Sequence, residues 1–192
     1  MSDMKKRSMC SDNQEVMDAF SNEPEAEPRT VAWDEAPDWQ RDNNSILRGY
    51  RPGNTSYFKI VDSLKFFHNE TCNIYTHLLG AVLLPLVAIR FMQVLSEPRF
   101  LTVSGRDYVV LGIFFCSAEC CLVFSTAYHF LGCHSYDLEQ FWLRMDLLGV
   151  VAVTIGTSVT GIYYVFTCDS SLRALHCTLV RHIGSRRVAT LR

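Results

Sequence analysis

Apolar residues along this chain gather in three long blocks, not in the short alternations of a soluble fold. They cover residues 74–95 (IYTHLLGAVLLPLVAIRFMQVL), 108–133 (YVVLGIFFCSAECCLVFSTAYHFLGC) and 145–168 (MDLLGVVAVTIGTSVTGIYYVFTC). A bilayer core about 30 Å thick needs about 20 helical residues to cross, so the pattern predicts three transmembrane helices. Gly80, Pro85, Gly149, Gly156 and Gly161 fall inside them, as membrane helices tolerate. The competing reading, a soluble all-α core, offers too small a domain to bury three such helices in succession. The predicted class is an all-α membrane protein.

Ahead of the blocks, Tyr57, Ile60, Val61, Leu64 and Phe67 recur at helical spacing, with Lys59, Asp62 and Lys65 opposite. Residues 48–70 are therefore read as a juxtamembrane amphipathic segment. Its short helix is capped by Asn54 or Thr55 and lies either in the membrane interface or packed on a protein surface.

Composition sharpens this division. Mean hydropathy is +0.07 and net charge −2, averages that describe neither half of the chain. Residues 1–47 hold eleven Asp or Glu against five Lys or Arg, with few aliphatic side chains. Such a segment buries too little apolar surface to offset its ordering entropy, and a disordered acidic tail is expected there. No apolar run follows MSDMKKRSMC, so no cleavable signal peptide is expected. Residues 169–192 form an Arg-rich tail. Of the eight cysteines, Cys116, Cys120 and Cys121 sit mid-helix, where they act as small apolar residues, and no CxxC or zinc-ribbon spacing occurs. Internal repeats, phosphate loops and nucleic-acid motifs are absent from the sequence. The lipid bilayer is the partner this pattern requires, and nucleic acid is excluded.

Helices joined by short links run antiparallel, which brings polar residues of all three to one rim. Glu70, Asn73 and His77 enter the first helix at i, i+3, i+7, one helical face. Ser125 and His129 leave the second at i, i+4, and Asp146 enters the third. A histidine with carboxylates at a sheltered rim suits a metal site, most naturally zinc. Each residue also has a plainer reading: His129 bonded to Ser125 or backbone, Asp146 as a helix N-terminal acid, and Glu70, Asn73 and His77 as a polar helix entry. His134 is read as solvent-facing, and Cys133 as a weaker candidate ligand four residues from His129. Glu119, about 15 Å along the helix from His129, is expected near mid-membrane. There it is either protonated or bonded to Thr154 or Thr157, and an ion-transport role for it is the third functional reading.

At these residues the chain resembles the progestin and adipoQ receptor family, which includes the adiponectin receptors, fungal zinc-homeostasis proteins and haemolysin III relatives. Four stretches carry the resemblance: WQRDNNSILRGYRP (residues 39–52), NETCNIYTHLLG (69–80), STAYHFLGCHS (125–135) and RMDLLGV (144–150). They lie in order and at family-like distances across residues 37–168. The resemblance implies a seven-helix bundle with a cytosolic N-terminus and a zinc ion near the cytoplasmic face. It implies zinc ligation by His129, with Asp146 and Ser125 beside the metal as catalytic candidates. The implied function is a zinc-associated multi-pass receptor in lipid metabolism or metal homeostasis. Ceramide-type amide hydrolysis in the intact form, and a sphingolipid-like substrate or a protein or peptide ligand, go with it. Zinc would lower the pKa of bound water to about 7, with Asp146 as general base.

The family completes its zinc site with an HxxxH pair in its last helix. This sequence offers only His176 and His182, six apart in the Arg-rich tail. The chain is accordingly read as the N-terminal part of such a bundle, truncated after the third helix, with its tail emerging opposite His129 and foreign to the native fold. The alternative function is a non-catalytic membrane fragment that pairs with other helices, a homologous chain among them. Counting Lys and Arg alone would invert the family orientation. Sequons at Asn43, Asn54 and Asn69 offer the test.

Overall fold

The computed structural model describes residues 28–41, 43–100 and 103–190. In chain order the elements are β1 (Val31–Ala32), a 3-10 turn (Asp38–Gln40), β2 (Arg48–Tyr50), α1 (Tyr57–Ser63), α2 (Thr71–Leu95), α3 (Gly105–Leu131), α4 (Tyr136–Val165) and α5 (Ser170–Thr190). The fold is all-α apart from one small hairpin. Among the described residues α2, α3 and α4 are the three helices long and apolar enough to cross a membrane.

Part of the expected acidic tail is folded. β1 and β2 pair antiparallel, Val31 with Tyr50 and Ala32 with Arg48. Local residues explain this: Trp33 packs edge-on against buried Tyr50 at 5.9 Å, and Arg41 donates 2.8 Å hydrogen bonds to the carbonyls of Ala36 and Asp34. Gly49 takes φ +90°, a backbone conformation that suits glycine, and its carbonyl accepts from the Asn69 N–H at 2.8 Å. That bond ties the hairpin to the entry of α2. Residues 1–27 lie outside the described residues.

The helix ends follow local chemistry. α1 is capped by Ser56, whose hydroxyl accepts from the Lys59 N–H, instead of by Asn54 or Thr55; Asn54 adopts a positive φ of 55° that excludes it as a cap. At the start of α2, the Thr71 hydroxyl accepts from the His68 N–H at 2.8 Å, and His68 Nδ1 accepts from the Glu70 N–H at 3.1 Å. Ser104 and Asp107 form a capping box on α3. Pro85 lies inside α2 and removes the N–H that would bond the Ala81 carbonyl.

α4 begins at Tyr136, nine residues before the apolar block. Its 30 residues make about 45 Å, longer than a bilayer core, so the polar turns YDLEQFWLR extend α4 beyond the hydrocarbon. The link from α3 shrinks to residues 132–135. α3 and α4 pack closely: a Cβ on Gly149 would lie 2.8 Å from the Cys121 Cα, and Thr160 donates to the Val110 carbonyl at 3.3 Å. On the other side, α2 meets α3 with Gly80 against Leu122 and Phe91 against Phe115.

The Arg-rich tail does not run on away from the rim of His129. Asp169 Oδ1 accepts from the N–H groups of Ser171 and Leu172 at 3.0 Å, starting α5, which doubles back along α4. His176 stacks on Phe166 at 4.7 Å and 9°, and Gly184 meets Ile155.

Candidate functional site

Residues expected at one rim do meet there. His129, in the last turn of α3, places its Nδ1 2.8 Å from Glu70 Oε2 at the entry of α2. The same Glu70 oxygen accepts from Asn73 Nδ2, and Oε1 accepts from Asn69 Nδ2, each at 2.9 Å. His77 lies one helical turn deeper, its ring edge-on to His129 at 5.8 Å. Its Nδ1 is buried without a partner among the described residues. Ser125 is 3% exposed. The α3–α4 register, with Gly149 at Cys121 and Gly132 near Glu139, sets Asp146 level with Phe124 and Ser125, about one turn below His129.

The electrostatics favour an ionised Glu70 beside His129. Burial pushes the Glu70 carboxyl up, but hydrogen bonds to His129 and Asn73 and the charges of His129 and Arg51 bring it below its ordinary value overall. In a neutral imidazole, a carboxylate at Nδ1 holds the proton there and leaves the lone pair on Nε2. This is how a protein prepares a histidine to bind a metal.

The donor set is nevertheless small for zinc. Zinc takes four ligands in structural sites and three plus water in catalytic ones. Among the described residues no group of three His, Cys, Asp or Glu gathers in metal-holding geometry. His129 with Glu70 behind it supplies one prepared ligand, and these residues do not by themselves fit a complete zinc site.

Other expected residues are elsewhere. Cys133 lies beyond the end of α3, 3% exposed, and burial raises its thiol above the ordinary range, so it is a poor thiolate donor. His134 is only partly exposed: it packs on Tyr57 at 4.3 Å with its Nδ1 buried. Glu119 Oε2 is buried with no partner among the described residues, and Thr154 donates instead to the Val150 carbonyl of its own helix.

Two residues at the rim were not singled out from the sequence. Arg51, 4% exposed, reaches from β2 to the end of α3, donating to the carbonyls of His129 and, at 2.9 Å, Phe130. These are carbonyls that a helix C-terminus leaves unpaired, where a cation is favoured. Glu139, buried in the first turn of α4, accepts from Gln140 at 2.7 Å. Arg51, Glu70, Tyr128, His129, Cys133 and Glu139 share the lining of a cavity of about 40 Å³, room for an ion or a few waters. The GYRP string and a carboxylate next to an aromatic run were the only signals, and neither has a spacing that marks a site.

Residues 65–186 match the model of the haemolysin-III-related family. The chain is 32% identical to the ADIPOR-like receptor IZH2 of Saccharomyces cerevisiae over 156 residues, 81% of this chain and 49% of that protein. It is 32% identical to the adiponectin receptor protein of Drosophila melanogaster over 160 residues, 83% of this chain and 35% of that one. Progestin and adipoQ receptor family member 3 of Homo sapiens is 29% identical over 153 residues, 79% of this chain and 48% of the relative. The chain thus spans half or less of the length of these relatives. With three apolar spans and a family match over most of its length, the chain is an integral membrane protein that belongs to the adiponectin receptor and haemolysin-III-related family.

Proposed function

We propose that this chain is the His129-bearing part of a zinc-associated, receptor-like membrane protein acting in lipid metabolism or metal homeostasis. The observation that carries the reading is the 2.8 Å Glu70–His129 pair, in which Glu70 holds Nδ1 and leaves Nε2 as the ring nitrogen for a metal. Further zinc donors come from beyond the described residues, and Ser125 and Asp146 flank the metal. Hydrolysis of a ceramide-type amide belongs to that completed centre, with a sphingolipid-like substrate or a protein or peptide ligand on the receptor side. The rim carrying Glu70 and His129 faces the cytosol, as does the N-terminus. The names of the relatives as receptors support the receptor reading.

The test is zinc content of the native complex, isolated through this chain and measured by elemental mass spectrometry. Zinc that co-purifies and is lost on His129→Ala supports the proposal. Zinc unchanged by that substitution removes it.

The single prepared ligand favours a second reading, a non-catalytic chain that pairs with a homologous membrane protein. A zinc-free complex containing a longer relative would select it.

A further inference from the structure

Only two carboxylates stand inside the three apolar blocks, Asp146 near the rim and Glu119 midway along α3. Glu119 is partly exposed, and its Oε2 is buried with no partner among the described residues. A carboxyl at that depth is costly unless something hydrogen-bonds it. Its neighbours on α3 show from which side a partner can come. Phe115, four residues before it, meets Phe91 of α2, and Leu122, three residues after it, meets Gly80. Ser117, Cys121 and Phe124 meet α4. Glu119 therefore stands at the edge of the α2–α3 seam, on the side away from α4.

The rim residues occupy another side of the helix. At about 100° per residue, Ser125 and His129 stand about 120° and about 80° from Glu119 in one direction around α3. Gly112, Val123 and Cys116 stand about 20° to 60° from it in the other. That second side is uncovered among the described residues. Cys116 and Cys120 are exposed, Val123 is 44% exposed, and a Cβ on Gly112 would meet nothing within 4 Å. Helices that bring further donors to His129 would approach the first side and leave this one open.

A protonated carboxyl both donates and accepts a hydrogen bond, so it is complementary to a second copy of itself. Two copies inserted with one topology are related by a two-fold axis along the membrane normal. Symmetry then sets both Glu119 side chains at the same depth, a match that a chain of another sequence would have to supply separately. Gly112 and Cys116 are small enough to let the two α3 backbones approach.

We propose that two copies of this chain associate through the outer face of α3, their Glu119 carboxyls hydrogen-bonded to each other at mid-membrane. The contact is separate from the Glu70–His129 pair and needs no metal.

The test uses the full 192-residue chain, labelled at its N-terminus with donor or acceptor fluorophores and reconstituted in lipid vesicles of rising lipid-to-protein ratio. Energy transfer should fall with dilution along a monomer–dimer curve. Glu119→Leu should weaken association about tenfold, and Glu119→Gln, which keeps a donor and an acceptor, should change it by less than about threefold. Gly112→Phe leaves Glu119 in place but fills the open face, and should also weaken association. Gly161→Phe, on an open face of α4, should not. Absence of energy transfer at every density, or association unchanged by Glu119→Leu, overturns the proposal. So does equal weakening by all four variants, which would report on the fold instead of on this face.

Discussion

Glu70 holds the rim together with both of its oxygens, and replacing it with an isosteric amide separates charge from shape. Glu70→Gln keeps the size but removes the anion that fixes the proton on His129 Nδ1. Zinc affinity of the native complex should fall about 10- to 100-fold, as measured by competition with a chelator, while the thermal midpoint moves less than in His129→Ala. His68 gives a pH prediction. Burial, with the charge of Arg51 adding to it, lowers its pKa from 6.5 to about 4. The folded chain therefore keeps His68 neutral where the unfolded chain would protonate it. Stability from this residue is complete above about pH 6.5 and is lost as pH falls toward about 4. Thermal midpoints in nanodiscs should decline across that window, and the decline between pH 6.5 and 4.5 should be absent in His68→Asn. Glu70, whose carboxyl is depressed, contributes its loss only below the ordinary carboxylate range.

At the scale of elements, the junction of the hairpin with α3 depends on one side chain. Arg51→Met would leave the last carbonyls of α3 buried without donors and should cost about 2–4 kcal/mol, read as a lower denaturation midpoint. Arg51→Lys keeps the charge but not the fork, and should recover only part of the loss. Between the spans, Gly149→Val would drive a side chain into the Cys121 backbone and should destabilise by about 1–3 kcal/mol. Gly161→Val, with open space around it, serves as the control. These details were not equally legible in the sequence. α2 and α3 were found to within three residues because hydropathy and helix coincide there. α4 was not, because its first nine residues are helical yet polar, and a hydropathy reading stops where the lipid does. The hairpin was lost for a different reason: an acid count over residues 1–47 averages away the Trp33–Tyr50 contact and the two Arg41 hydrogen bonds.

For the molecule as a whole, antiparallel order was enough to place Glu70 and His129 at one rim, since that follows from helix direction alone. Which atoms touch did not follow: Arg51 comes from 78 residues away, and no periodicity announces it. The fold-back of α5 was equally hidden, because its packing on α4 rests on Gly184 at Ile155 and on His176 at Phe166. Orientation has a direct test at Asn54, which is exposed and lies in a sequon. Translation into microsomes should leave Asn54 without a glycan if this rim is cytosolic; a glycan there would reverse the molecule in the membrane. Pro85 carries one more consequence. With the Ala81 carbonyl deprived of its donor, α2 is one hydrogen bond short at mid-length. Bending of that span costs least there, about four turns from Glu70.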